Sequence, residues 1–446
     1  MRPTIFLTSF HILISRNILA SGVPKRLAAR GFKVVILAPD FKASYFEEHF
    51  GGPGIVIQGV PANTSSRSLL GLVFKRLAQV MLPTTTARIK TTAKLMLEHK
   101  YFYFFCFILP ARLLGYLGAG RSLVRRLDRR LSPRHPFFAS LIARYQPAAV
   151  VSTDVNNEND VALMQEARLA GVTTLGIVRS WDNLTNFFLR VVPDGMAVAN
   201  PRMADEAVRY HGVPRERLRV VGIPHYDRYL QGPTKPRAEF LREIGADPGK
   251  PLILYVPVAD SRMAKNDVDA YVVGLLSKLD ATILVRFPPT AAVSLDLSAF
   301  GGRVIADRPG HVFRMRQDAE IRPEDDERLV NALAHCDVVV SGPGTMNIDA
   351  ALFDRPLVLV NCYPTPRSFW GTIREYRYDH IQPILASGGA RIATSAGELE
   401  EAIKTYLHDP RKDAPGRARI REEQCWRLDG ASTERVTDFI ARSVVV

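Results

Sequence analysis

At 446 residues, with 47% hydrophobic and 23% charged content, the chain is too long for one ordinary core and reads as a soluble globular protein of two domains. Four scattered cysteines (Cys106, Cys336, Cys362 and Cys425) form no CxxC pair and have no histidine at ligand spacing. That argues against a zinc site or a disulfide framework and fits a reducing cytoplasm. The formal net charge of +14 is concentrated, because from Arg67 to Arg134 fourteen Lys or Arg stand against only Glu98 and Asp128, a block suited to a polyanionic surface.

The apolar N-terminus, Ile5 to Ile14, is interrupted by His11 and preceded only by Arg2, so it reads as a first strand rather than a secretory signal. Thr4 to Thr8 form that strand. A loop with His11 and Arg16-Asn17 leads to a helix from about Leu19 to Arg30, stopped by Gly31, and a strand from Lys33 to Leu37. The run FKVVILAPD is nearly continuous in apolar residues, as a buried parallel strand requires, so the unit is βαβ. A third strand, Gly54 to Val60, follows.

Residues 65–135 break this rhythm. Leu69, Leu70, Leu72, Val73, Leu77 and Val80 recur at helical spacing beside Lys75 and Arg76. Tyr101 to Leu109 are nine apolar residues, far short of the ~20 that span a bilayer. From Arg121 to Arg134, Leu123, Val124, Leu127 and Leu131 interleave with arginines, the pattern of a basic amphipathic helix. Phe104, Phe105, Arg125, Arg126, Arg129 and Arg130 are therefore expected at an anionic membrane surface. The alternative is a helical layer on the sheet with solvated arginines. Nucleic acid is disfavoured, since the block shows no known recognition motif.

Alternation resumes with a strand from Ala148 to Ser152, then Thr153-Asp154 and the polar run Asn156 to Asp160 opening a helix. A strand from Thr173 to Val178 enters RSWDNLT, and Gly195 to Val198 form another. Ligands bind at the carboxyl ends of parallel strands, which singles out Asp154, Glu158 and Asp182. The Pro-rich stretch 231–237 reads as a linker. Strands follow at Leu252 to Val256, Thr282 to Val285 and Arg303 to Ile305, and then a strand–turn–helix–strand unit. Its parts are Asp337 to Val340, Ser341 to Gly344, Thr345 to Phe353 and Pro356 to Asn361. A small-residue turn before a helix can offer N–H groups to a phosphate or serve only as a tight connection. The expected organisation is a first domain at 1–230 with a basic, aromatic insert at 65–135, the linker, a second domain at 238–425, and a closing helix at 426–446.

Six segments in chain order, SWDNLT, VVGIPHYDRYL, LILYVPV, TILVRFPP, DVVVSGPGTMNIDAALFDRPLVLVN and LDGASTERV, resemble GT-B glycosyltransferases. This is an α/β fold of two Rossmann-like domains facing a cleft. The nearest motifs are those of CDP-glycerol glycerophosphotransferase-like and UDP-N-acetylglucosamine 2-epimerase-like enzymes. The chain lacks the His-containing acidic segment of the epimerases. It also lacks the spaced glutamate pair of retaining transferases, having only Asp349 and Asp354 near the late helix, which favours inversion.

The resemblance implies transfer of a sugar from a nucleotide-sugar substrate, without a metal or other cofactor, to a glycan or polyprenyl-linked acceptor. The expected location is the inner face of the cytoplasmic membrane. It implies a donor site at Ser341, Gly342, Gly344, Thr345, Met346 and Asn347, with positive charge from Arg286, Arg262 or Lys265 and Asp349 on ribose hydroxyls. Asp154, Glu158, Asp182 and His11 are the candidates for the general base. The rivals are transfer of an alditol phosphate from a CDP-activated donor and a non-catalytic sugar-nucleotide-binding scaffold.

Overall fold

A computed structural model describes residues 2–62, 64, 69–263 and 265–444. The chain divides into two compact units, residues 1–228 with 426–446 and residues 229–425. The first is built on β1 (Thr4–Thr8), β2 (Lys33–Pro39), β3 (Ile55–Val60), β4 (Ala149–Ser152), β5 (Thr173–Ile177), β6 (Gly195–Val198) and β7 (Leu218–Val220). These pair in the order β3-β2-β1-β4-β5-β6-β7, parallel throughout. Side chains alternate along a strand, and in β2 Val34 and Ile36 enter one core cluster while Val35 and Leu37 enter the other. That double burial is why β2 reads as an unbroken apolar run.

The second unit carries β8 (Leu252–Val256), β9 (Thr282–Arg286), β10 (Val304–Asp307), β11 (Val338–Ser341), β12 (Leu357–Val360) and β13 (Arg391–Ala393), in the order β10-β9-β8-β11-β12-β13 and again all parallel. In each unit the strand order reverses direction once, between β1 and β4 and between β8 and β11. Such switch points leave a crevice at the carboxyl ends of the two strands.

Residues 231–237 are not a detached linker. The Thr234 and Lys235 N–H groups both donate to Asn331 Oδ1, at 3.1 and 3.2 Å, and Arg237 pairs with Asp337 at 2.8 Å, which holds the segment on the second unit. The last helix, Ser432–Val444, returns to the first unit. Val436 and Ile440 join its core, and the Asp227 carboxylate accepts from the N–H groups of Ser432 and Thr433 at 3.1 and 2.7 Å, satisfying donors that a helix start leaves open.

The insert forms helices Leu69–Val80, Thr85–Met96 and Gly118–Leu131, with a further helical stretch from Tyr101 to Tyr116 that contains a π turn at Phe104–Ile108. Arg67, where the basic block begins, lies outside the described residues. Phe74, Val80, Met81, Phe104, Ile108 and Val124 make a separate small core. Gly115 permits the packing, since a Cβ there would stand 2.0 Å from the Met81 carbonyl oxygen.

Two expectations fail in this insert. Phe104 is only 8% exposed and belongs to the core. Arg125 is turned inward, donating to the carbonyls of Leu189 at 2.8 Å and His211 at 2.6 Å and stacking 4.3 Å from the Phe188 ring centre. Burial pulls its pKa down to about 10. Phe105, Arg126, Arg129 and Arg130 are exposed, together with Leu69, Leu72, Phe102, Leu113, Leu117, Leu123, Leu127 and Leu131. Among the described residues no single helix is long and apolar enough to cross a membrane. Tyr101–Tyr116 and Gly118–Leu131 reach that length and composition only as a pair, bent by 114°.

Candidate functional site

At the switch point of the first unit, β1 ends in Thr8 and β4 runs into Thr153 and Asp154. The Thr153 N–H donates to Thr8 Oγ1 at 2.9 Å and the Thr153 hydroxyl to the Thr8 carbonyl at 2.7 Å, so the two strand ends are tied together. Thr8 Oγ1 in turn donates to Asp160 Oδ1 at 2.5 Å. Asp160 is fully buried in the first turn of the Glu158–Leu169 helix. Burial, and then the neighbouring Asp154 charge, push its carboxyl up to about 8, because a low-dielectric interior disfavours the charged form.

Asp154 is also buried and is ion-paired with Arg179 from the loop after β5. Burial raises its pKa, while Arg179 opposes the rise. The site therefore holds two neighbouring carboxyl groups and one guanidinium. Neither Asp160 nor Arg179 was singled out from the sequence. Five consecutive polar residues in the loop and helix start after β4, Asn156 to Asp160, are the available signal for the first of them.

The other three candidates lie in the same region with different partners. Glu158 accepts from Arg190 at 2.8 Å, and Arg190 also pairs with buried Asp128 at 2.7 Å. Asp182 accepts from the Asn186 amide at 2.7 Å. The Nδ1 of His11 accepts from the Leu13 N–H at 3.1 Å, capping the turn that begins at Ile12. Burial and then the charges of Arg179 and Lys42 lower the His11 pKa to about 3. An imidazole so hard to protonate is a weak base at neutral pH, so His11 is better suited to holding the loop. Asp154, Glu158 and Arg179 line a cavity of about 440 Å³, together with Asn156, Asn157, Asn159, Asn183 and Arg190.

At the switch point of the second unit, the turn after β11 is held by its own side chains. Asn347 is fully buried, donating to Ser341 Oγ at 2.9 Å and to the Gly342 carbonyl at 3.2 Å, while its Oδ1 accepts from the Gly344 N–H at 2.9 Å. Ser341, Gly344 and Asn347 are thus committed to the shape of the turn. Gly342 lies where a Cβ would come within 3.0 Å of Val258 on the loop after β8. Thr345 is exposed and Met346 half-buried at the start of the Met346–Leu352 helix.

The expected cations separate. Arg262 reaches the turn and donates to the Pro343 carbonyl at 2.8 Å. Lys265 is exposed, 3.5 Å from Asp267. Arg286 is not available to a ligand. It is 6% exposed, ion-paired with Asp307 and donating to the Asp325 carbonyl at 2.8 Å. The cause is strand register, since β9 and β10 place Arg286 directly beside Asp307. Asp349 is buried, and its charge helps raise the pKa of buried Cys425. Among the described residues no group of three or more His, Cys, Asp or Glu side chains could hold a metal ion.

Residues 178–442 match the model of the CDP-Glycerol:Poly(glycerophosphate) glycerophosphotransferase family. The chain belongs to this family. The matched span begins at Val178, one residue before Arg179, and runs through the whole second unit. The chain is also similar to a lipid-A-disaccharide synthase of Alkalilimnicola ehrlichii, 26% identical over 327 residues that cover 70% of this chain and 80% of that protein.

Two solved structures are similar in fold. One is the UDP-GlcNAc 2-epimerase of Neisseria meningitidis bound to UDP-GlcNAc, with TM-score 0.55 and 11% identity over 98% of this chain and all of that one. The other is the glycotransferase of kitacinnamycin, with TM-score 0.53 and 14% identity over the whole of both chains. With its two parallel sheets of seven and six strands, this glycerophosphotransferase-family member has the two-domain α/β fold of the GT-B enzymes.

Proposed function

We propose that this transferase moves a group from a nucleotide-activated donor to a hydroxyl of a lipid-linked cell-surface acceptor. Glycosyl transfer is the first reading. The observation that carries it is Asp154, a buried carboxylate of raised pKa at a sheet switch point, lining a cavity large enough for a small-molecule group. A base of raised pKa takes a hydroxyl proton more readily than an ordinary aspartate.

In this mechanism the acceptor oxygen passes its proton to Asp154 and attacks the anomeric carbon. The bond from that carbon to the donor diphosphate breaks, and the electron pair leaves with the nucleoside diphosphate. Attack from the face opposite the leaving group inverts the sugar. Arg262 and the N–H groups of Gly342, Thr345 and Met346 stabilise the departing diphosphate, each charge-assisted hydrogen bond contributing roughly 1.5–3 kcal/mol, and no metal is invoked. The exposed leucines and arginines of the insert rest on the anionic inner face of the cytoplasmic membrane, which brings a polyprenyl-linked acceptor within reach. A relative named for a lipid-borne disaccharide supports the lipid acceptor.

The family match favours a second reading, transfer of glycerophosphate from CDP-glycerol. There the acceptor oxygen attacks phosphorus and the electron pair leaves with CMP. The nucleotide product separates the two. Purified protein incubated with membranes and either sugar nucleotides or CDP-glycerol should release a nucleoside diphosphate in the first case and CMP in the second. Absence of either product with every donor overturns both readings.

A further inference from the structure

Two buried carboxyl groups meet at the switch point of the first unit, and one guanidinium serves them. Arg179 is ion-paired with Asp154. Asp160 has no ion pair among the described residues, and its carboxyl is poorly supplied with donors. Its Oδ1 accepts from Thr8 at 2.5 Å, while its Oδ2 has no hydrogen-bond partner. The Ser152 hydroxyl and the Asp154 N–H favour its charged form, but less than burial opposes it. An ionised carboxylate offers about four acceptor sites, and leaving most of them bare in a buried place is costly. The protonated acid avoids that cost.

The hydrogen bonds around Asp160 also work in both of its protonation states. The Thr153 hydroxyl proton is committed to the Thr8 carbonyl at 2.7 Å, and the Thr153 N–H donates to Thr8 Oγ1 at 2.9 Å. Thr8 Oγ1 therefore has one proton to place and two oxygens within reach, Asp160 Oδ1 at 2.5 Å and Thr153 Oγ1 at 3.1 Å. With Asp160 ionised, the Thr8 hydroxyl donates to the carboxylate. With Asp160 protonated, the acid donates to Thr8 Oγ1 and the Thr8 proton turns to a free lone pair of Thr153 Oγ1. The chain of bonds reverses direction and none is lost.

The charged groups nearby divide between the two carboxyls. Arg179 and Asp182, from the segment after β5, act on Asp154, and Asp154 acts on Asp160. Glu158 and Glu166, on the helix of Asp160, are turned to Arg190 and Arg134. His11, after β1, is kept neutral by burial and by Arg179 and Lys42. Arg179 favours the ionised form of Asp154, so the one proton of the site belongs on the acid that has no cation. We infer that Asp160 is a positioning residue that stores this proton, holding Asp154 as the ionised member of the pair and making it a stronger base when the proton leaves. The inference rests on Asp154 as the base of the transfer read above, and adds how that base is kept ready and how its strength changes with pH. A negative charge on Asp160 favours protonation of Asp154, as for any two carboxyls in one site.

Infrared spectroscopy of the full chain reads the stored proton without any substrate. The carbonyl stretch of a protonated carboxyl should be present in the wild type at about pH 6, fade through about pH 8, and be lost in Asp160→Asn. In Asp154→Asn the fading should move down by about one pH unit or more, because the neighbouring charge is gone. The catalytic consequence is read from single-turnover release of nucleotide, from UDP-GlcNAc and from CDP-glycerol, with membranes as acceptor. The wild-type rate should rise again through about pH 8 by about threefold, half of a one-unit gain in base strength on the logarithmic scale. Asp160→Asn should lack that rise. A carboxyl band that persists unchanged in Asp160→Asn, or a rise near pH 8 that survives in it, overturns the inference. If Asp154→Asn is then inactive, the base reading stands without it. Turnover by Asp154→Asn at the wild-type rate overturns the base reading instead, and the infrared band still decides where the proton sits.

Discussion

Replacing Asp160 by Asn removes a charge that the native fold resists. The carboxyl is fully buried, and its pKa stands at about 8 against an ordinary 3.8. Between those two pH values the native state holds a proton that the unfolded chain has released. Native stability therefore falls as pH rises from about 4 to about 8, and the full cost remains above that range. At about 1.4 kcal/mol per pH unit the ceiling is on the order of 5 kcal/mol, and coupling to Asp154 reduces what Asp160 alone contributes. Asparagine copies the shape of the protonated acid, and the Thr8 hydroxyl can still donate to its Oδ1. The variant should match the wild type near pH 4 and exceed it by a few kcal/mol near pH 8. Urea unfolding at the two pH values, followed by intrinsic fluorescence, reads the difference directly. A variant that is less stable near pH 8, or a difference that does not change with pH, refutes the reasoning.

Other predictions concern the arginines. Arg286→Ala breaks a buried ion pair and should destabilise the protein by about 3 kcal/mol, the low end of the usual range, because Arg328 also lies 3.1 Å from Asp307. Nucleotide affinity per folded molecule should not change, and a drop in affinity without loss of stability would reverse the assignment. Arg262→Ala should do the opposite, weakening nucleotide binding roughly ten- to a hundredfold, as expected for loss of a charge-assisted hydrogen bond, with an unaltered melting midpoint in the absence of nucleotide. Changing Arg126, Arg129 and Arg130 together to Glu should abolish co-sedimentation with phosphatidylglycerol vesicles, at about 1 kcal/mol per basic residue near the surface. Arg125→Ala should instead lower stability, and equal loss of vesicle binding from Arg125→Ala would contradict its inward placement.

Most of the strands that sequence revealed are buried on both faces, the edge strands β3 and β10 being the exceptions. Runs such as VVILA and LILYV have no exposed side and so no polar interruption. The strands that escaped notice, β7 (LRV) and β13 (RIA), are three residues long and lie at sheet edges, where polar side chains are tolerated and the apolar run disappears. The loops that carry the candidate site were legible for the same reason as the strands, since they begin where the apolar runs end.

Partnerships across the sheet were not legible. Arg286 ends a strand and looks free until β10 places Asp307 beside it, and the bond from Thr8 to Asp160 joins residues 152 positions apart. Helix phase was a second blind spot. The alternation of leucine and arginine identified a basic amphipathic helix, but one residue, Arg125 rather than Arg126, decides which guanidinium turns inward. The π turn at Phe104–Ile108 shifts the phase again and buries Phe104 while exposing Phe105.

The central claim is that Asp154 takes the acceptor proton. Single-turnover release of nucleotide from the donor that binds best, compared between wild type and Asp154→Asn, tests it most directly. Loss of a general base predicts a rate lower by about 10²- to 10⁴-fold at unchanged donor affinity. Release by Asp154→Asn at the wild-type rate would contradict the account.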